Sequence, residues 1–144
     1  MIVSSDALVG YRGAVTMVDG AFDPIHAGHV AYFEAAAGLG LPVLCNVSSD
    51  TYVARKHRPL LLQVERAVVI DAFRFVAYTH LAQGSTDDVL RELRPRYYAK
   101  GADWRDRLPD EEVATCVEHG IEIVYLDTVL ASSTALLDRY ASNG

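Results

Sequence analysis

The chain has 144 residues, 51% of them hydrophobic, and carries a formal net charge of −6, from 19 acids against 13 Lys and Arg. That length makes one domain with a sizeable core, and the acidic balance argues against a general nucleic-acid binder, which needs a basic footprint on phosphate. No stretch reaches the length of a membrane span and the start lacks the basic-then-apolar shape of a signal peptide, so a cytoplasmic protein is expected.

The apolar run Ala14–Val18 reads as a buried strand over 14–18. After it, Asp23-Pro24 opens a turn and the helical pattern Val30, Phe33, Glu34, Ala37 begins at His29, giving a helix over 29–38. A strand over 42–48 holds Cys45, and Cys116 falls in a later helix; the two have no framework spacing, so both are expected to be reduced and structural. Arg55, Lys56, His57 and Arg58 then cluster in one loop, which suits a single small polyanion. A helix over 63–74, a strand over 76–81 and a helix over 86–94 follow, the last capped by Thr86-Asp-Asp88 and ended by Pro95. A strand over 97–99 leads to Lys100-Gly-Ala-Asp-Trp104. Beyond it come a helix over 110–119 with acids at its start, a strand over 122–126 and a helix over 132–140. His80, His119, Tyr97 and Tyr98 read as strand-end, cap and core residues. Alternation of this kind is the pattern of a parallel α/β sheet.

The segment Gly20-Ala-Phe-Asp-Pro-Ile-His-Ala-Gly-His29 carries the chemistry. His26 and His29 fall on the last turn of loop and the first turn of helix, where unpaired N–H groups and the positive end of the dipole favour anions. Their i, i+3 spacing puts both rings on one side, and Gly28 lets a ligand approach the backbone. A lone His near a helix start is ordinarily a cap or a surface residue; a pair flanking Gly after a buried strand points to polyphosphate. Zinc is another chemistry open to a His pair, but no Cys or third ligand lies at a usual spacing. A cobalamin-type Asp-x-His-x-x-Gly box fails because two residues separate Asp23 from His26.

Gly20-x-Phe22-Asp23-x-x-His26-x-Gly28-His29 resembles the signature of the cytidylyltransferase-like nucleotidyltransferase superfamily, and further landmarks follow in that family's order. Cys45-Asn-Val-Ser-Ser-Asp50 resembles its second strand and the loop ending it. Lys56-His-Arg-Pro59 resembles its mobile basic loop, and Val64-Glu-Arg66 the start of the next helix. The segment from Leu93 to Trp104 resembles its Arg-Pro, strand, Lys-Gly-x-Asp-aromatic stretch, and Ser132-Ser-Thr-Ala-Leu-Leu137 its closing Ser/Thr box. Among branches, Ile2-Val3-Ser4 and the ending Ser-Thr-Ala-Leu-Leu-Asp-Arg139 look most like the adenylyltransferase domain of bacterial ADP-heptose synthases. Asp103-Trp104 looks more like glycerol-3-phosphate cytidylyltransferase.

The resemblance implies a single Rossmann-like domain of the HUP type: five parallel strands in the order 3-2-1-4-5, with helices on both faces. Ligands bind at the carboxyl ends of strands where the order reverses, which would bring Phe22–His29 and Lys100–Trp104 into one crevice. It implies nucleotidyl transfer, with His26, His29 and Lys56 as the catalytic groups on the phosphates. The nucleotide would meet Gly20, Ala21, Phe22, Gly28, Lys100, Gly101, Asp103, Ser132, Ser133 and Thr134. The phosphorylated acceptor would meet Asp23 and Arg66, although Asp23 could instead orient the histidine loop and Arg66 pair with a surface acid such as Glu65 or Asp71. Mg²⁺ is expected on the triphosphate, with no dedicated protein metal site.

ATP and a sugar phosphate such as heptose 1-phosphate are the expected substrates, because Thr128-Val-Leu-Ala131 stands where glycerol-phosphate enzymes carry Arg-Thr-x-Gly. CTP with glycerol 3-phosphate or another alcohol phosphate or phosphonate is the alternative. A catalytically silent nucleotide-binding subunit and an aminoacyl-adenylate former are readings of other classes. Two departures stand out: His57 replaces the usual Gly of the heptose branch, and Asp19 puts a carboxylate where it would repel triphosphate unless turned away. Relatives of this size imply a homodimer, for which Tyr32, Phe33 or the C-terminal helix could supply an apolar contact.

Overall fold

The structure, a computed structural model, describes residues 1–128 and 133–143, with side chains described for 1–128 and 137–142. Its strands are β1 (Ile2–Val3), β2 (Thr16–Gly20), β3 (Val43–Val47), β4 (Tyr78–Leu81), β5 (Tyr97–Gly101) and β6 (Glu122–Leu126). All pair in parallel, in the order β1-β4-β3-β2-β5-β6. The five-stranded sheet expected from the sequence is corrected to six strands by β1, which extends the order at the β4 edge; the five expected strands keep their relative order, 3-2-1-4-5, as β4-β3-β2-β5-β6. β1 sits outside β4, with Ile2 opposite Thr79 and Val3 opposite His80. Two residues are too few to carry a period-2 pattern, so nothing in the sequence marks this strand.

The helices are α1 (Ala27–Ala37), α2 (Asp50–Val53), α3 (Gln63–Asp71), α4 (Thr86–Leu93), α5 (Asp110–His119) and α6 (Ser133–Asn143). The single turn α2 and the 3-10 turns at Ser5–Tyr11 and Ala102–Trp104 add to the sequence reading. Helices cover both sheet faces, and strand alternation sorts the core between them. Val18, Cys45 and Ala99 face Phe33 and Ala36 of α1 and Ile70 of α3. Their neighbours Met17, Leu44 and Tyr98 face Leu90 and Leu93 of α4 and Cys116 of α5. Tyr32 and Phe33 belong to the first of these cores, at 9% and 0% exposure, so they are not available as a contact to a second copy. Cys45 and Cys116 are buried and unbridged, and burial pushes the Cys116 thiol up to about 12, far from thiolate chemistry.

β2 pairs with β3 on one side and β5 on the other. The chain therefore leaves β2 and β5 toward opposite sides of the sheet, and a crevice opens at their carboxyl ends, the site where open α/β sheets bind ligands.

Candidate active site

A cavity of about 310 Å³ occupies that crevice. It is lined by Gly20, Ala21, Phe22, Asp23, His26, Gly28 and His29 from the loop after β2, by Lys56 and His57 of the basic loop, and by Lys100, Gly101, Asp103 and Trp104 after β5. These residues are separated by up to 84 positions in the sequence, from Gly20 to Trp104, and the fold brings them together. Ser132 lies outside the described residues, and Ser133 and Thr134 open α6 without described side chains.

The two histidines are fixed by the helix start they create. His26 is the N-cap of α1 and its Nδ1 accepts from the Gly28 N–H at 3.1 Å, while His29 Nδ1 accepts from the His26 N–H at 3.2 Å. A ring nitrogen that accepts a backbone N–H carries no proton, so each neutral ring keeps its proton on Nε2. The rings stack with centroids 3.9 Å apart, and His29 meets the edge of Phe22 at 5.0 Å. His26 Nε2 is shielded from solvent and, among the described residues, has no hydrogen-bond partner. A buried orphan donor costs about 1–3 kcal/mol, a penalty that an acceptor entering the cavity removes.

Burial lowers both imidazoles: His26 falls below its usual value, and His29 falls to about 3, with the neighbouring His26 adding to the effect. Both rings are therefore neutral donors in the ligand-free protein at pH 7. The sign for stability follows, because the unfolded chain binds a proton near 6.5 and the folded His29 near 3. Its contribution is complete above pH 6.5 and is lost as pH falls from there toward 3. Urea titrations between pH 7 and pH 4 should show a steeper loss of stability for the wild type than for His29→Gln; parallel curves would show that His29 keeps its ordinary pKa.

Phe22 holds a left-handed backbone at φ 54°, a conformation costing a non-glycine residue about 1–3 kcal/mol, which burial of its ring against Phe33 and His29 offsets. Gly20 is needed beneath it, since a Cβ there would stand 3.0 Å from the Phe22 Cζ. Asp23 is fully buried and precedes a cis bond to Pro24. Its two carboxylate oxygens accept the Leu60 and Leu61 N–H groups at 2.8 and 3.1 Å, so it ties the histidine loop to the basic loop, in line with the orienting alternative.

Arg66 corrects the sequence expectation. Its side chain is 0% exposed, and its donors are spent internally: Nε on Leu61 O at 3.0 Å, Nη1 on Ala21 O at 2.7 Å and Ser48 O at 3.0 Å, Nη2 on Asp50 Oδ1 at 2.8 Å. With four of about five N–H donors occupied and no place in the cavity wall, the guanidinium does not face an acceptor. It clasps the loops that do.

Lys100 is buried, and its Nζ sits 4.3 Å from the centre of the Trp104 ring, close enough for a cation–π contact. Among the described residues it makes no hydrogen bond or ion pair. Lys56 and Arg55 flank the Tyr52 ring at 5.9 and 5.8 Å. Asp19 lines the cavity but is held by donors: Asn46 Nδ2 and Thr86 Oγ1 each donate at 2.8 Å. Behind Asn46 the chain of bonds continues through His80 Nδ1 at 2.8 Å to Ser5 Oγ, 2.9 Å from His80 Nε2.

The sequence reading missed this relay, together with Thr86, Tyr98 and Glu112 in the cavity wall. Ser85 and not Thr86 caps α4, its Oγ accepting the Asp88 N–H at 3.1 Å, which leaves the Thr86 hydroxyl for Asp19. Among the described residues no group of three or more His, Cys, Asp or Glu is arranged to hold a metal ion, and no helix is long and apolar enough to cross a membrane.

Comparison with known proteins gives the same direction. Residues 17–136 match the cytidylyltransferase-like family. The bifunctional protein HldE of Magnetococcus marinus is 38% identical over 96 residues, 64% of this chain and 20% of that protein. HldE of Gluconobacter oxydans is 34% identical over 131 residues, 87% of this chain and 27% of that protein. The chain thus spans about a fifth to a quarter of the length of these relatives. In fold it is similar to a lipopolysaccharide core biosynthesis protein from Thermoplasma volcanium, with a TM-score of 0.69 at 22% identity, covering 81% of this chain and 98% of that one. Pantothenate synthetase from Thermus thermophilus follows at a TM-score of 0.59 and 16% identity, covering 94% of this chain and 70% of that one.

Proposed function

The chain belongs to the cytidylyltransferase-like family and is an enzyme of the nucleotidyltransferase class, and from that premise we propose that it transfers a nucleoside monophosphate from ATP to a sugar phosphate such as heptose 1-phosphate. A phosphate oxygen of the acceptor attacks the α-phosphorus in line, the bond from that phosphorus to the bridging oxygen of the β-phosphate breaks, and pyrophosphate leaves. The attacking oxygen is already ionised at neutral pH, so no general base is required, and the barrier falls through positioning and neutralisation of phosphoryl charge.

The observation that carries this reading is the pair of imidazoles at the start of α1, each with Nδ1 spent on a backbone N–H and Nε2–H left to donate. In that role His26 and His29 hold the triphosphate oxygens as neutral donors. Lys56, on the loop that Asp23 tethers, meets the α-phosphate or the acceptor phosphate as a point charge, and Lys100 adds a second cation from the far wall. Gly101 and Asp103 are assigned to the ribose and base, and Ser132, Ser133 and Thr134, on their sequence pattern alone, to the outer phosphates. Mg²⁺ travels with the triphosphate and neutralises its oxygens. ATP and a heptose phosphate are supported by the similarity to HldE proteins and by Thr128-Val-Leu-Ala131.

The test is pyrophosphate release from ATP and CTP, with Mg²⁺, against heptose 1-phosphate, glycerol 3-phosphate and several alcohol phosphates. Turnover with ATP and a sugar phosphate is expected. Silence with every pair would remove nucleotidyl transfer, and turnover confined to CTP would replace the base assignment.

A further inference from the structure

With Arg66 and Asp23 occupied internally, the acceptor's carbon skeleton needs other contacts, and the two faces of the sheet differ in what they offer. Tyr98 and Lys100 lie two apart on β5 and so point to one face, the side of α4 and α5. Met17 packs on that same face, which puts Asp19, two residues on along β2, there as well. The histidines sit on the opposite side, at the start of α1. On the α4/α5 side two carboxylates line the cavity from different walls: Asp19, held by Thr86, and Glu112 on the first turn of α5, whose Oε1 accepts the Tyr98 hydroxyl at 2.7 Å.

Carboxylates accept hydrogen bonds and repel phosphate; Lys100 on the same face can meet a phosphate oxygen, but the positions against Asp19 and Glu112 ask for a group presenting donors in more than one direction. Adenine and cytosine each offer one exocyclic amino group as donor beside ring nitrogens that accept, so either base would meet one of the two carboxylates well and the other poorly. An ammonium group would satisfy the charge, but the aromatic face that would complete its site is already covered by the chain's own Lys100, 4.3 Å from the Trp104 centroid. Vicinal hydroxyls remain, each a donor and none charged.

We propose that Glu112, oriented by Tyr98, is a specificity residue that accepts hydrogen bonds from the hydroxyls of a polyhydroxylated acceptor phosphate lying between α5 and Asp19. This rests on the nucleotidyl-transfer reading and deepens it by assigning the residue that selects the hydroxyls of its acceptor.

Pyrophosphate release by the wild type is measured first, with heptose 1-phosphate, glucose 1-phosphate, glycerol 3-phosphate, propyl phosphate and phosphoethanolamine as acceptors and ATP and CTP as donors. The expected result is at least about tenfold higher kcat/KM for a hydroxylated acceptor than for propyl phosphate or phosphoethanolamine, the value of one charge-assisted hydrogen bond. Glu112→Ala then raises the KM of that acceptor about tenfold and leaves the nucleotide KM within twofold. Tyr98→Phe, which keeps the core volume, raises the acceptor KM severalfold and carries the test should Glu112→Ala fail to fold. A preference for phosphoethanolamine, an unchanged acceptor KM in the variants, or a shift in nucleotide KM instead overturns the assignment of Glu112 while nucleotidyl transfer stands. Wild-type silence with all pairs overturns both readings before any variant is made.

Discussion

His29→Ala should lower turnover about a hundredfold while the protein stays folded. Removing one preorganised donor aimed at developing charge costs about 10²–10³ in rate, or about 2.7–4 kcal/mol. His29 meets the conditions for such a loss: its Nδ1 is spent on the His26 N–H, its ring is fixed between His26 and Phe22, and its neutral state leaves one N–H to donate. No reorganisation is then required as the phosphoryl oxygens gain charge. The fold loses little, because the His26 N–H lies at the first turn of a helix, within reach of water. Steady-state pyrophosphate release with a far-ultraviolet dichroism spectrum checks both halves. Full activity in a folded variant would remove His29 from the phosphate site.

Arg66→Met should cost about 3 kcal/mol of stability, the usual scale for breaking a buried, hydrogen-bonded charge by removing one partner. The ion pair itself contributes little, since Asp50 is 40% exposed and screened by water. Most of the loss comes from the carbonyls of Ala21, Ser48 and Leu61, which would be left without their donors. Urea denaturation would show a lower midpoint with an unchanged slope, and the melting temperature would fall by roughly 10 °C. The opposite pattern, native stability with a raised acceptor KM, is what a guanidinium on the acceptor phosphate would give, so the two roles separate in one pair of measurements.

These two residues also mark what the sequence could and could not reveal. His26 and His29 were legible because their contacts are local: a spacing of three at a helix start dictates which backbone N–H each Nδ1 can reach. The central strands and their flanking helices were legible for the same reason, as runs of apolar residues long enough to show a period. Arg66 was not, because its partners lie 5, 16, 18 and 45 positions away and meet only when three loops converge. Asp19 was noticed as an oddity, yet the donors that hold it come from β3 and α4. Glu112 read as an acid placed for the helix dipole, and its presence in the cavity depends on α5 packing beside β5. Contacts that close over long sequence separations leave no periodic trace.

The two-residue strand at the margin of the sheet reaches further than its size. Ser5, just past β1, is three hydrogen bonds from Asp19 in the cavity, through His80 and Asn46, both almost fully buried. Short edge pairings are where a domain frays first, opening and closing many times before the core unfolds. Each opening of this edge would take away the last anchor of the relay and loosen a carboxylate deep in the crevice. Breathing at the periphery and competence at the centre thus share a single line of bonds, and a ligand that steadies one end steadies the other.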